Sequence, residues 1–182
     1  VPFTLPASGS CTVQYTYSPS ATGAANQNVV ISATPGGNTT LVLSGNGVQG
    51  NLTITPSSVN FGDQTVGTTS AAQTVTLGNS GTASLQVTTL TAATAPFARS
   101  GGTCSALPIT LAAGSSCTLT YTFAPTATGA ANQNLTVTAD APGSGSIALS
   151  GNGVQGNLTI TPNSINFGDQ NVGSASAAQT VT

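Results

Sequence analysis

A shift of 106 residues lays Val1–Thr76 onto Leu107–Thr182 without a gap, and 49 of the 76 aligned positions are identical. The match is uneven. From Ser44 to Thr76 it reaches 28 of 33 positions, against 21 of 43 upstream. Within it the stretch "SGNGVQGNLTITP" stands twice unchanged, at Ser44–Pro56 and at Ser150–Pro162. Self-similarity at a fixed period constrains a fold more than any single motif, because every copy must bury its apolar face in the same way. The expected organisation is the C-terminal part of one unit over residues 1–48, a complete unit over 49–154, and the N-terminal part of a further unit over 155–182.

Inside the unit the apolar period is two. In "CTLTYTF", Cys117, Leu119, Tyr121 and Phe123 alternate with Thr118, Thr120 and Thr122. That pattern turns one face to a core and a threonine row to solvent. The same alternation directs Leu52 and Ile54, Val75 and Leu77, Leu85 and Val87, and Leu135 and Val137 inward. Turn signals such as "GNSG", "FAPTATG" and "APGSG" separate the runs, and Pro56 breaks the first of them. Roughly seven short strands in about 100 residues, with no helical period, predict an all-β chain of tandem immunoglobulin-like antiparallel β-sandwiches. Tyr15, Tyr17, Tyr121, Phe123, Phe61 and Phe167 fall on the core faces of such strands rather than in a ligand groove.

The strings "VNFGDQTVG", "LGNSG", "LAAGSSCTLTYTFAPTATG" and "LSGNG", in that order, carry a resemblance. The chain resembles the immunoglobulin-like repeats of bacterial choice-of-anchor D proteins, relatives of the abnormal-spindle and hydin-type domains with a PapD-like sandwich. The resemblance covers the complete unit and both partial ones. It implies a large secreted, multi-repeat surface protein, and it does not imply an enzyme. The anchoring segment of that family is not matched here.

Composition narrows the function. Only Arg99, Asp63, Asp140 and Asp169 are charged, 2% of the residues against roughly a quarter in an ordinary soluble domain. One arginine cannot form the basic patch that nucleic acid or an anionic membrane requires. The richness in β-branched residues and the low charge speak against disorder. A net charge of −2 leaves little repulsion between copies, so the surface is suited to self-association. No apolar run approaches the eighteen or so residues of a membrane span, which predicts no membrane insertion in this segment.

Catalysis has little to work with. There is no His, so neither a Ser-His-Asp nor a Cys-His arrangement can be assembled within the chain. Asp63 and Asp169 are one position in two copies, while Asp140 has Thr34 as its counterpart. The paired carboxylates of a glycosidase would have to come from Asp63 and Asp140, and we expect no enzyme. No cofactor or metal is expected. The junction "SGNGVQGN" offers amides and carbonyls where a hard cation wants several carboxylates, and Asp63 in "FGDQ" reads as a turn residue bonding nearby backbone. Gly45-Asn46-Gly47 is no phosphate loop, since no Lys follows and the repeat runs from strand to strand. The threonine rows read as solvent-facing strand positions, with an ice-binding surface as the alternative. "NTT" at Asn38 and "NLT" at Asn51, Asn134 and Asn157 fit an N-glycosylation pattern that a Thr- and Asn-rich chain produces cheaply. Arg99 is expected in a loop, against a neighbouring domain or subunit.

Cys104 and Cys117 stand thirteen residues apart without the further Cys or His of a zinc site. They are expected to form a disulfide, free buried thiols being the alternative, and a disulfide places the protein outside reducing compartments. Cys11 is the counterpart of Cys117, so its partner would lie upstream of Val1 or on another chain. Two arrangements fit. Either the 182 residues lie inside a longer array, or Asn157–Thr182 of one protomer completes Val1–Gly50 of another. In the second case the joined unit lacks the stretch corresponding to Leu77–Ala106.

The functional expectation is a structural module of an extracellular, cell-surface stalk or filament, its immunoglobulin-like units joined end to end. The partners expected are neighbouring repeats of the same chain or identical subunits. An adhesin that recognises glycans or a surface is the alternative. The candidate functional residues are those of the inter-domain junction, Gly45, Asn46, Gly47, Val48, Gln49 and Gly50, and their copies Gly151, Asn152, Gly153, Val154, Gln155 and Gly156. Their glycines are expected to supply backbone angles that other residues resist.

Overall fold

Between Gly23 and Val154 the two-residue alternation becomes strands, whereas the same patterns at residues 11–17 and 157–182 do not. In the computed structural model, which describes residues 3–182, the regular structure is β1 (Gly23–Ala33), β2 (Gly37–Gly47), β3 (Leu52–Thr55), β4 (Ser58–Thr65), β5 (Gln73–Asn79), β6 (Leu85–Leu90), β7 (Phe97–Gly101), β8 (Ile109–Leu111), β9 (Ser116–Phe123), β10 (Gly129–Ala139) and β11 (Gly145–Val154). Strands β3 to β11 form a sandwich of a five-stranded sheet, ordered β4-β11-β10-β6-β8, on a four-stranded sheet, ordered β3-β5-β9-β7. No helix long and apolar enough to cross a membrane occurs among the described residues.

The inward positions meet as the alternation requires. Val75, Leu77, Val87, Leu119, Phe123, Leu135, Val137 and Ile147 are fully buried, and Leu52, Leu85, Tyr121 and Leu149 nearly so. Each such side chain contributes about 1.5–3 kcal/mol relative to exposure. At one end Phe61, Phe97 and Phe123 gather with ring centroids 5.1–5.9 Å apart, although Phe61 is itself only partly buried.

Three features of the sandwich differ from the sequence reading. It has nine strands instead of about seven, the additions being the short β7 and β8. It is not wholly antiparallel, because β4 runs parallel to β11, with Leu149 opposite Val59 and Val154 opposite Thr65. The cause lies at Pro56. Proline has no N–H to continue a ladder, and the chain leaves the four-stranded sheet after Thr55 and enters the five-stranded one at Ser58. Finally, the threonine row of β9 is half-buried. The Thr118 amide donates to Thr103 Oγ1 (2.9 Å), and the Thr103 amide donates to Thr118 Oγ1 (3.1 Å). Ser100 Oγ donates to Thr120 Oγ1 at 3.3 Å.

On either side the same sequence is left open. β1 and β2 form a two-stranded sheet with Gly23 opposite Gly47, the register of Gly129 and Gly153 in β10 and β11. Tyr15 and Tyr17, expected in a core, are about half exposed, and so is Phe167. Their counterparts Tyr121 and Phe123 are buried because β5 and β7 flank β9 and the other sheet lies across them, and Phe61 on β4 is partly buried against Phe97 and Phe123. Among the described residues nothing equivalent is laid over residues 3–48 or 157–182. In the latter segment Thr161 and Thr182 exchange a pair of backbone hydrogen bonds (2.9 and 3.0 Å), where Thr55 pairs with Thr76 in the sandwich.

Candidate functional site

The first copy of the repeated motif crosses from β2 into β3, and the crossing is held rather than free. Gln49 C=O accepts the amides of Thr82 (2.8 Å) and Ala83 (3.3 Å), and the Gln49 amide donates to Thr82 Oγ1 (3.3 Å). Asn51 amide donates to Asn79 Oδ1 (3.0 Å), Asn51 Nδ2 donates to Ser80 Oγ (2.8 Å), and Ser80 amide donates to Asn51 C=O (2.9 Å). The turn "GNSGT" after β5 thus clasps the segment that enters the sandwich.

Asn79 is the centre of that clasp. It is only 2% exposed, the sole polar side chain in the core among the described residues. Its Nδ2 donates to the carbonyls of Ala83 (2.7 Å) and Leu111 (3.0 Å), and its Oδ1 accepts from the amides of Asn51 and Gly81 (3.0 Å each). An amide side chain has two donors and two acceptor sites, so every capacity is used. Sequence reasoning treated this residue as one letter of a turn. The signal that marks it is an Asn, better suited to turns, at the end of a run whose inward positions are Val75 and Leu77.

The outgoing end is fastened differently. Val66 amide donates to Val154 C=O and Gly67 amide to Pro125 C=O, both at 2.9 Å. Asn152 Nδ2 donates to Asp63 Oδ1 at 2.8 Å. Asp63 is therefore a strand residue that bonds a junction amide, not the expected turn residue bonding local backbone. That local role belongs to Asn60, whose Oδ1 accepts the Gly62 amide at 2.9 Å.

The junction glycines also serve another purpose than expected. Gly45, Gly47, Gly50, Gly151 and Gly153 do not have left-handed backbone angles. They are needed because neighbours approach closely. A Cβ on Gly151 would stand 2.7 Å from the Phe123 ring, and one on Gly153 would stand 2.1 Å from the Ala127 carbonyl oxygen. Gly45 bears the same relation to Tyr17, and Gly47 to Ala21. The second crossing differs. Gly50 packs against Leu85, whereas Gly156 has open space around it, and no counterpart of Asn79–Ala83 lies within the 182 residues.

Cys104 and Cys117 are bonded, tying the loop after β7 to the start of β9, and Cys11 is free and exposed. Arg99 lies in β7 and not in the expected loop. Its Nη2 donates to Cys104 C=O at 2.7 Å. Beside it an open cavity of about 530 Å³ is lined by Leu90, Ala98, Arg99, Leu107, Ile109 and Tyr121. Burial pushes the Tyr121 phenol above its ordinary value of 10.0, with the Arg99 charge acting in the opposite direction. No group of three His, Cys, Asp or Glu gathers among the described residues.

Compared with known families, residues 50–147 match the one described as "ASH: Abnormal spindle-like microcephaly-assoc'd, ASPM-SPD-2-Hydin". The match covers more than half of the chain and runs from the clasp into β11. No curated protein matches by sequence. Among solved structures, the ASH / PapD-like domain 7 of human CEP192 is similar at 20% identity and TM-score 0.47, over 60% of this chain and 89% of its own. The VesB protease of Vibrio cholerae is similar at 18% identity and TM-score 0.48, over 56% and 32% respectively. A protein of unknown function from Porphyromonas gingivalis W83 is similar at 12% identity and TM-score 0.46, over 75% and 68%.

Proposed function

The chain belongs to the ASH family, and from that premise we propose that it is a non-enzymatic structural module of an extracellular stalk or filament built from such sandwiches joined end to end. Within the family, the order of motifs favours the choice-of-anchor D type of surface repeat. The observation that carries the reading is where the chain enters and leaves the sandwich. Leu52 amide donates to Pro142 C=O (2.8 Å), so the incoming chain lies at the turn that precedes β11. The chain leaves at Val154, the far end of β11. At about 3.3 Å per residue, ten residues of strand separate the two points by roughly 30 Å.

Two further features suit a load-bearing part. The incoming segment is clasped by Asn79–Ala83, so it cannot swing as a free linker. Tension drawn between the two ends loads the parallel β4–β11 ladder along its length, so its hydrogen bonds share the force. The disulfide is compatible with an oxidising, extracellular setting, and the nearly uncharged surface suits close contact between modules. Electron micrographs of the native assembly are expected to show a regular rod or helix with constant module-to-module geometry. Randomly kinked beads would overturn the reading.

A binding module is the second reading, favoured by the cavity beside Arg99, the chain's one cation. On that reading a glycan array gives saturable binding that is lost in Arg99→Ala. Absence of binding across the array removes it.

A further inference from the structure

β7 and β8 are edge strands of the two sheets, and residues of both line the cavity beside Arg99. Phe97 of β7 stands opposite Phe123 of β9, and Arg99 stands opposite Tyr121. Alternation therefore puts Arg99 on the face of the buried Phe97, where an apolar residue is the ordinary choice. The cavity, of about 530 Å³, opens between the layers and is walled mostly by hydrocarbon. Leu90 comes from the end of β6, Leu107 from the loop before β8, and Ile109 from β8 itself.

Two polar groups meet in it. Tyr121 is 1% exposed, and its hydroxyl bonds to no protein group among the described residues. No fully buried polar side-chain atom lacks a partner there, so the accessible part of Tyr121 includes that hydroxyl, at the cavity wall. Burial holds the phenol above its ordinary value, which keeps its proton in place as a donor. Arg99 is pinned from behind. Its Nη2 donates to Cys104 C=O (2.7 Å) and its Nε to Gly101 C=O (3.4 Å), leaving three of its five N–H groups unused. The Cys104 carbonyl is fixed in turn by the disulfide to Cys117 and by the Cys104 amide on Thr118 C=O (3.0 Å). Both carboxylates of the sandwich are engaged elsewhere, Asp63 with Asn152 Nδ2 and Asp140 with the Gln86 amide (2.7 Å).

We propose that this cavity binds a small organic acid, its carboxylate between Arg99 and Tyr121 and its hydrocarbon body against Leu90, Leu107 and Ile109. A carboxylate only accepts hydrogen bonds. One oxygen takes a guanidinium N–H and the other the Tyr121 hydroxyl, and such charge-assisted bonds are stronger than neutral ones. The walls select the rest of the molecule. A sugar carries a hydroxyl on nearly every carbon, and most would lose water against leucine and alanine without gaining a partner. The inference rests on the binding-module reading for its site and departs from it in the occupant. An inward-pointing charge also blunts a sheet edge, but that role has no use for an unpartnered hydroxyl behind the charge.

The test is titration of the 182-residue chain with 4-methylpentanoate at neutral pH, followed through backbone amide shifts. Saturable shifts are expected at Leu90, Arg99, Leu107 and Ile109. The matching amide, 4-methylpentanamide, keeps the body without the charge, and acetate keeps the charge without the body. Each is expected to bind at least about tenfold more weakly. Arg99→Ala should remove binding while the shifts of β10 and β11 stay in place. Tyr121→Phe deletes only a hydroxyl that bonds nothing in the protein, so it should weaken binding about tenfold at unchanged Tm. No saturable response to the acid overturns the proposal, as does equal binding of acid and amide. Binding indifferent to both substitutions overturns it too, since it marks general apolar uptake. The glycan array separates this inference from the reading it starts from. Neutral glycans held in an Arg99-dependent way, with no response to the acid, sink the acid and keep the binding module. An empty array with Arg99-dependent binding of the acid removes the glycan and keeps the acid.

Discussion

Asn79→Leu is expected to destabilise the sandwich by about 3–4 kcal/mol, read as a fall in the urea midpoint at unchanged slope. Leucine keeps the branching and heavy-atom count of the asparagine side chain but none of its hydrogen-bonding groups. What disappears is the partner of four backbone groups at once: the amides of Asn51 and Gly81 and the carbonyls of Ala83 and Leu111. Water reaches a site that is 2% exposed only by opening it, and a buried polar group left unpaired costs about 1–3 kcal/mol. The joint provides a second readout. Hydrogen exchange at Asn51, Gly81, Thr82 and Ala83 should accelerate more than exchange in β10, because the clasp is lost before the core. If midpoint and exchange both match the parent chain, the clasp is not what holds the incoming segment.

The same residue marks the limit of what the sequence discloses. Periodicity is a statement about faces, and it located the core well: Leu52, Val75, Leu77, Leu85, Val87, Leu119, Tyr121, Phe123, Leu135 and Val137 are buried where alternation put them. Periodicity does not state direction, so the parallel pairing of β4 with β11 was invisible in it. Nor does it state distance. Gly151 and Gly153 looked like points of backbone freedom because glycine usually is one, and only the placed Phe123 ring and Ala127 carbonyl reveal them as points of contact. Asp63 met Asn152 across 89 residues of chain, a separation over which no local pattern carries information. Tyr15, Tyr17 and Phe167 have the right pattern without the covering strands, which shows that alternation encodes a capacity for burial and not burial itself.

Removing the disulfide should cost about as much as removing the clasp, by a different route. Closing a loop over the thirteen-residue separation of Cys104 and Cys117 restricts the unfolded chain by about 3 kcal/mol in the chain-entropy picture. For a sandwich of about 100 residues that corresponds to a fall in Tm of roughly 15 °C. Cys104→Ala with Cys117→Ala should therefore melt near the temperature of the reduced parent, and Cys11→Ser, at an exposed free thiol, should leave Tm unchanged. The loss should also be local. The bond fixes the segment between β7 and β9, where Arg99 Nη2 holds the Cys104 carbonyl and where β8 pairs only with β6 at the edge of its sheet. Exchange protection should fall first from Arg99 to Leu111 and last in β10 and β11, which lie inside the five-stranded sheet. A double variant that melts within 2–3 °C of the oxidised parent would mean, on the same scaling, that the bond contributes well under 1 kcal/mol. The side of the sandwich away from the β4–β11 ladder would then be held by packing around Phe97 and Ile109, and the cysteines would inform about compartment without bearing on strength.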